Sequence, residues 1–466
     1  MKMWSGRFRQ PLDPEFERWQ RSFPFDRRLL SHELNASRAH AHALQGAGIL
    51  SAEELASILF GLDQIAERAA SAAFLEDDEA EDVHHFVEKQ LVSMIGDAGY
   101  KLHSGRSRNE QIATDLRLYV RESIDQLREF IADWTEVLVM RAEQAGDAAM
   151  PAYTHLQRAE PVLVAHWLLT YVEMFSRDAE RLADCRKRAN LCPLGSGAVA
   201  GATLPLDRDA IAQELGFDGP TANSMDATSD RDFVLEFVDA LSLLSTHLSR
   251  WAEEMILFSA QEFGFIQLPE AYSTGSSAMP QKKNPDLLEL TRGKAARVIG
   301  DATALLVGVK GLPLAYNKDL QETQEPLFDA SETMLALLPL VTGWVKAAEF
   351  DYARMQAAAQ SGFMNAWAAA TYLVERGVPF RLAHEQVGKA VQRCLEKGCE
   401  LQDLPLDELK QLNPAFDQDF YSRLTLTSVL SIHDVVGGTA PEQVKQALAY
   451  AKQEIAALRG VARAHA

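Results

Sequence analysis

Between Thr221 and Leu268 the chain contains no proline, and Phe233, Phe237, Leu241, Leu244, Leu248, Trp251, Met255 and Phe258 follow one another in steps of four and three residues. An apolar side chain every 3.5 residues marks the buried seam of a helix packed on other helices; a strand alternates every second residue. A helix over most of this stretch is predicted to run roughly 50–60 Å, at ~1.5 Å per residue. Leu127, Ile131, Trp134 and Leu138 repeat the pattern earlier, and further apolar helical stretches run from about 285 to 309 and from about 325 to 348. Helices of this length bury their seams in one another, within a chain or between subunits. The expectation is an all-α protein built on a long helical bundle.

The flanks read as shorter helices. Ser51 with Glu54 three residues later forms a capping box ahead of Leu55, Ile58 and Leu62. Gly and Pro clusters near 192–205, 264–285 and 311–313 read as loops, and Pro379, Pro405 and Pro414 break the C-terminal part. Three helical domains are expected: 1–105, a central bundle over 106–360, and 361–466. The net charge of −20 argues against nucleic acid, which requires a basic footprint, and means that any anion site must concentrate positive charge locally. Four cysteines without a C-x-x-C pair point to neither a disulfide framework nor a zinc ribbon. The opening MKMWSGRFRQ has no apolar export signal, and no stretch approaches 18 uninterrupted apolar residues. A cytoplasmic location without membrane contact is expected.

Local positive charge appears in Gly275-Ser276-Ser277-Ala278-Met279-Pro280-Gln281-Lys282-Lys283-Asn284-Pro285. A small hydroxyl-rich loop runs through two lysines into a helix expected to start with Asn284 at its N-cap and Pro285 behind it. Helix N-terminus and ammonium groups make an anion site beside two serines, and a serine acts as a base only where its alkoxide is stabilised, here by Lys282 and loop N–H groups. Taken alone, the stretch reads equally as a linker before a capped helix. Tyr153-Thr154-His155-Leu156-Gln157-Arg158 offers a histidine whose ordinary pKa suits proton transfer. Lys101-Leu102-His103-Ser104-Gly105-Arg106-Ser107-Arg108-Asn109-Glu110-Gln111 places arginine forks, which match carboxylates, on a glycine-containing turn.

Taken together these strings resemble the fumarase/aspartase superfamily. Residues 275–284 meet every fixed position of its G-S-x-x-M-x-x-K-x-N signature, and residues 154–158 meet its T-H-L-Q-R motif. The 103–111 string is similar to H-T-G-R-S-R-N-D-Q of the argininosuccinate lyase branch, and Tyr316-Asn317-Lys318-Asp319-Leu320-Gln321-Glu322 to its Y-N-K-D-L-Q-E. Trp4-Ser5-Gly6-Arg7-Phe8 resembles the branch's opening, with Ser5 replacing a glycine, and recognisable segments continue to Gly437-Gly438-Thr439-Ala440-Pro441. The resemblance implies a three-domain all-α fold with a twenty-helix core in a homotetramer, active sites shared between subunits, and no cofactor or metal. It implies Ser276 as general base, Lys282 as its electrostatic partner, and His155 paired with Glu289 for proton transfer. It implies substrate contacts at Ser22, Arg108, Asn109, Thr154, Asn284, Tyr316 and Gln321. The reaction implied is reversible β-elimination of argininosuccinate to arginine and fumarate. Adenylosuccinate lyase activity, or a non-catalytic role like that of lens crystallins on this fold, are the alternatives.

Three departures stand out: Gln324 where many relatives carry lysine, Glu160 in place of a glutamine, and Asn365-Ala366-Trp367 in place of A-T-D. Gly195-Ser196-Gly197-Ala198-Val199-Ala200-Gly201 has the wrong spacing for a dinucleotide loop and no surrounding βαβ unit. His40 with His42, and His84 with His85, lack the spacing by which metal ligands converge from one helix face.

Overall fold

The computed structural model describes residues 10–77 and 79–465, with side chains through Arg459. The Trp4–Phe8 string lies outside the described residues. The fold is all-α: long helices span Arg108–Ala145, Val164–Ala189, Asp232–Ser259, Asp286–Val309, Gln324–Ala347 and Pro441–His465, with shorter helices elsewhere. Among the described residues the sheets are three two-stranded antiparallel pairs.

All eight residues of the seam from Phe233 to Phe258 are buried, as are Leu127, Ile131, Trp134 and Leu138. The helix that carries the first seam is shorter than the proline-free stretch, starting at Asp232. Upstream, polar side chains satisfy the backbone outside a continuing helix. Asn223 Oδ1 accepts from the N–H groups of Met225 and Asp226, and Asp230 Oδ1 accepts from Asp232 N–H. The Ser51–Glu54 capping box forms as read, with reciprocal bonds at the start of Ala52–Arg68. The helix after the two lysines starts at Asp286. Asn284 instead pairs in a short strand, and its amide donates to Thr274 Oγ1 and to the Gly275 carbonyl.

The chain forms two compact units, each assembled from three segments. The first comprises Met1–Leu127, Glu180–Ser245 and Ala295–Leu335. Its packing includes a cluster of Ala36, Ala39, Cys192, Leu194, Ile211, Ala212 and Phe217. The second comprises Arg128–Ala179, Thr246–Lys294 and Ala336–Ala466. There the Arg108–Ala145, Asp232–Ser259 and Gln324–Ala347 helices are locked by a ladder of buried tryptophans. Trp134 meets Trp251 edge-to-face at 4.9 Å and 87°, and Trp251 meets Trp344 at 5.4 Å and 88°. This geometry sets the positive ring edge on the negative face and adds to the burial of three large side chains. A separate cluster around Tyr372, Phe416 and Phe420 forms the core of the C-terminal helices.

Trp251 touches both other tryptophans, so Trp251→Ala opens a cavity between three helices. The expected loss is about 3–5 kcal/mol in urea denaturation, with a smaller loss for Trp251→Phe. Equal stability of Trp251→Ala and the parent chain would show that the ladder is not a core element.

Candidate active site

In the first unit, a cavity of about 170 Å³ is lined by Ser22, Asp26, Glu81, Asp82, His84, Arg108, Asn109, Ile112, Tyr316, Lys318, Gln321 and Gln324. It brings together five of the residues expected to contact substrate: Ser22, Arg108, Asn109, Tyr316 and Gln321. Each is held by local structure. The N–H groups of Ser22 and Phe23 donate to the Glu81 carbonyl, and Gln321 Nε2 donates to the Gln20 carbonyl at 3.1 Å. Arg108 opens its long helix with Nη1 3.1 Å from Glu81 and 3.0 Å from Asp82. Its guanidinium is therefore already directed at carboxylates of the chain. Asn109 Nδ2 donates to the Ala198 carbonyl at 3.2 Å. The glycine loop at 195–201 thus has a positioning role: Gly197 N–H donates to the buried Glu110, two residues beyond Arg108. Gly197 has φ +62°, and a Cβ there would lie 2.6 Å from the Gly201 carbonyl oxygen, so only glycine fits.

The sequence did not single out the acids of this cavity. Burial, reinforced by the charge of Asp82, pushes the Asp26 carboxyl up to about 7. Burial also opposes ionisation of Asp82, but Arg108 and then His84 hold it below the usual carboxylate range. Beneath them, His84 Nδ1 lies 3.0 Å from Glu33 and 3.7 Å from Asp115. Burial disfavours the imidazolium, yet Glu33 above all raises His84 to about 9. The Glu33 carboxylate also accepts from Ser37 and Gln111. Among the described residues these three make the one group whose ligand atoms fall within metal-binding reach, 4.8 Å of one another. Asp115 is driven well above its ordinary value by burial and by Glu33. The histidine converges with acids from separate helices, which spacing within one helix could not reveal.

In the second unit, Thr154 and His155 lie at the tip of an antiparallel hairpin of Ala149–Thr154 and Gln157–Leu163. Thr154 pairs with Gln157, leaving a two-residue turn in which His155 and Leu156 both have φ 56°. That is the type I′ geometry, usually given to Asn-Gly; side chains here cost roughly 1–2 kcal/mol per residue. Non-glycine residues in this region concentrate at functional sites. Both side chains stand exposed.

The serine loop also belongs to this unit. Thr274 and Gly275 pair with Asn284 and Lys283, closing the intervening residues into a loop. Asp286 anchors its base by accepting from Thr274 N–H at 3.0 Å and Thr274 Oγ1 at 2.7 Å. Ser276 Oγ accepts from the N–H groups of Ala278 at 3.3 Å and Met279 at 3.1 Å. Lys282 and Glu289 are exposed. Among the described residues no hydrogen bond or ion pair joins His155 to Glu289 or to Ser276. The chain therefore supplies a serine oxygen facing two N–H donors, a strained exposed histidine, and a charged binding cavity.

The chain is similar to known proteins over nearly its whole length. Residues 6–300 match the family described as Lyase, and residues 363–431 match the one described as Argininosuccinate lyase C-terminal. The argininosuccinate lyase of Koribacter versatilis is 62% identical over 98% of both chains. That of Acidobacterium capsulatum is 60% identical over 96% of this chain and 93% of its own. A solved structure of EDDS lyase in complex with formate superposes with a TM-score of 0.84 at 28% identity, covering 98% of this chain and 93% of that one. With two family matches and relatives 60% and 62% identical over nearly the whole chain, the chain belongs to the argininosuccinate lyase family.

Proposed function

We propose that this carbon–nitrogen lyase cleaves argininosuccinate reversibly to L-arginine and fumarate by anti β-elimination, with Ser276 as the base. Likeness to argininosuccinate lyases over nearly the whole chain supports the substrate. The observation that carries the choice of base is the pair of backbone N–H groups at Ser276 Oγ. Hydrogen bonds to an oxygen that gains charge favour its charged form, so these contacts lower the cost of the alkoxide.

In the proposed sequence, Ser276 Oγ takes the proton from the carbon next to the succinyl carboxylate. The electron pair moves into that carboxylate, giving an aci-carboxylate held by Lys282 and Asn284. The pair then returns to form the double bond of fumarate while the carbon–nitrogen bond breaks. The departing guanidino nitrogen takes a proton from an acid. His155 serves this transfer, as the acid itself or as the group that orients it, with Glu289 as its partner and Thr154 on a substrate carboxylate. Ser22, Asn109, Tyr316 and Gln321 hold the substrate, and Arg108 joins them through the acids it fixes. Closure of the 272–285 loop excludes water during the reaction.

The assembly proposed is a homotetramer with sites completed between subunits, its chains organised as domains 1–105, 106–360 and 361–466. Exposed apolar side chains on the long helices support it: Leu243, Leu290, Ile299, Leu306, Val307 and Leu340. The exposure of the His155 hairpin points the same way. A cytoplasmic location is proposed on the strength of four free cysteines. No helix among the described residues is long and apolar enough to cross a membrane.

Purified protein treated exhaustively with a chelator is expected to release fumarate, followed by ultraviolet absorbance, from argininosuccinate and not from adenylosuccinate. Ser276→Ala should lower kcat about 10³-fold with unchanged circular dichroism; full activity would remove Ser276 as the base. Light scattering should give a tetramer. A co-refolded mixture of Ser276→Ala and His155→Asn chains should recover activity that neither shows alone, and absence of any recovery would contradict shared sites.

A further inference from the structure

The hairpin that presents Thr154 and His155 is poorly suited to hold its own turn. Pro151 stands opposite Pro161, so that pair has no N–H to give the ladder, and the register shifts between Pro151 and Tyr153. A two-stranded ribbon is marginal in water even with a full ladder. The turn adds strain. Histidine is among the residue types enriched at positive φ, but Leu156 holds φ 56° while 67% exposed, so no burial of its side chain offsets the conformation. Such a backbone persists only where its surroundings over-determine it.

Those surroundings are C-terminal helices of the same unit. Arg158, opposite Tyr153 in the ladder, donates from Nη1 to Ser361 Oγ at 2.8 Å and to the Ala358 carbonyl at 3.2 Å. Its guanidinium also lies within reach of the Tyr153 hydroxyl on the paired strand. The turn that receives Arg158 is itself fixed, because the Glu400 carboxylate accepts from Gly362 N–H at 3.0 Å and Phe363 N–H at 3.3 Å. Further from the tip, Glu160 lies 3.4 Å from His433, and Leu163 N–H donates to Thr439 Oγ1 at 2.8 Å. Of these three attachments, that of Arg158 is nearest to His155 along the chain.

We propose that Arg158 is a positioning residue: by fastening its strand to Ala358 and Ser361 it sustains the strained His155–Leu156 turn, and so fixes where His155 is presented. This rests on the role given to His155 above. Arg158 acts through the histidine and touches no reacting atom, so its removal costs geometry and leaves substrate binding in place. A misplacement of about 1 Å in a catalytic group can cost about 10²-fold in rate. The strain also supplies the means of separating this role from a merely structural one. Type I′ turns favour glycine at the second central position, so Leu156→Gly gives a turn that holds its shape without the attachment.

The test compares wild-type protein with Arg158→Met, Leu156→Gly, the double variant, and Ser361→Ala, which removes an acceptor without altering the hairpin. Two readouts are taken on each: fumarate release from argininosuccinate, and amide hydrogen exchange across residues 150–163. Arg158→Met is expected to lower kcat about 10–100-fold with KM within about threefold, and to speed hairpin exchange about tenfold. Ser361→Ala should move both in the same direction by about threefold, and it decides the matter if Arg158→Met fails to fold. Leu156→Gly alone should stay within about twofold of wild type. In the double variant, kcat should rise about tenfold above that of Arg158→Met, and exchange should slow again. Unchanged kcat and exchange in both Arg158→Met and Ser361→Ala overturn the proposal, as does a loss confined to KM or one that Leu156→Gly does not recover. Wild-type protein that releases no fumarate from argininosuccinate would defeat the functional reading instead, while the exchange rates would still judge the attachment.

Discussion

The burial of helix seams underlies everything else in this molecule. A helix such as Arg108–Ala145, 38 residues long, gains little from its own hydrogen bonds, because water offers the unfolded backbone similar partners. Its persistence depends on removing one apolar stripe from water, at roughly 25 cal/mol per Å². In the second unit that stripe includes Trp134, set against Trp251 and Trp344, whose size leaves little room for alternative packings. In the first unit, Arg117 and Arg121 lie flat over Phe233 and Phe217, so cations also cover apolar rings there. Rigid helices of this kind give short loops and hairpins fixed ends. The serine loop is short between its strand pair, and Asp286 fastens it to the first turn of the next helix.

The first unit accepts a different cost. Glu33, His84 and Asp115 are all buried, and charges removed from water are tolerated only when paired and hydrogen-bonded. Glu33 meets that condition: His84 and then Arg106 overcome the effect of burial and bring it down to about 2. Asp115 does not, and burial together with the charge of Glu33 drives its carboxyl well above the usual range. The cavity above repeats the contrast. Asp82 keeps its charge beside Arg108, whereas Asp26, more deeply buried and facing a like charge, is pushed up towards neutrality. One cavity thus holds one acid kept charged by its partners and one pushed towards its neutral form.

The parts of this arrangement that were legible in the sequence are those set by local pattern. The 3.5-residue spacing located the seams because periodicity alone decides which face of a helix is apolar, and the Ser51–Glu54 box was readable because both partners lie within one turn. The limits are equally physical. The stretch from Thr221 to Asp230 carries no proline, yet Asn223 caps a separate short helix, Ser224–Ser229, and Asp230 Oδ1 accepts from Asp232 N–H where the long helix starts. The hairpin around His155 went unseen because its turn holds His-Leu where Asn-Gly would signal one, so the strain, and not the turn chemistry, is the informative feature. The five contacts gathered in the cavity came from motif resemblance. Asp26, Asp82 and His84 did not, because nothing in their spacing links residues 26, 82 and 84. The glycine loop at 195–201 lacks the spacing of a dinucleotide loop, and its contact with Glu110 is tertiary and invisible to pattern.

The serine loop shows why exposure matters to the proposed chemistry. Two N–H groups already point at Ser276 Oγ, but on an open loop water competes for the same oxygen, and a hydrogen bond there contributes only about 0.5–1.5 kcal/mol. The same two donors act far more strongly once water is removed, because Coulomb energies scale inversely with the local dielectric. The exposed ammonium of Lys282 obeys the same rule. Under the proposed mechanism, a loop that carries its own donors and closes over substrate would make its serine basic only when substrate is present. The free enzyme would be spared a reactive alkoxide, and closure would be the step that switches the base on. Substrate binding and proton abstraction would then be coupled through dehydration.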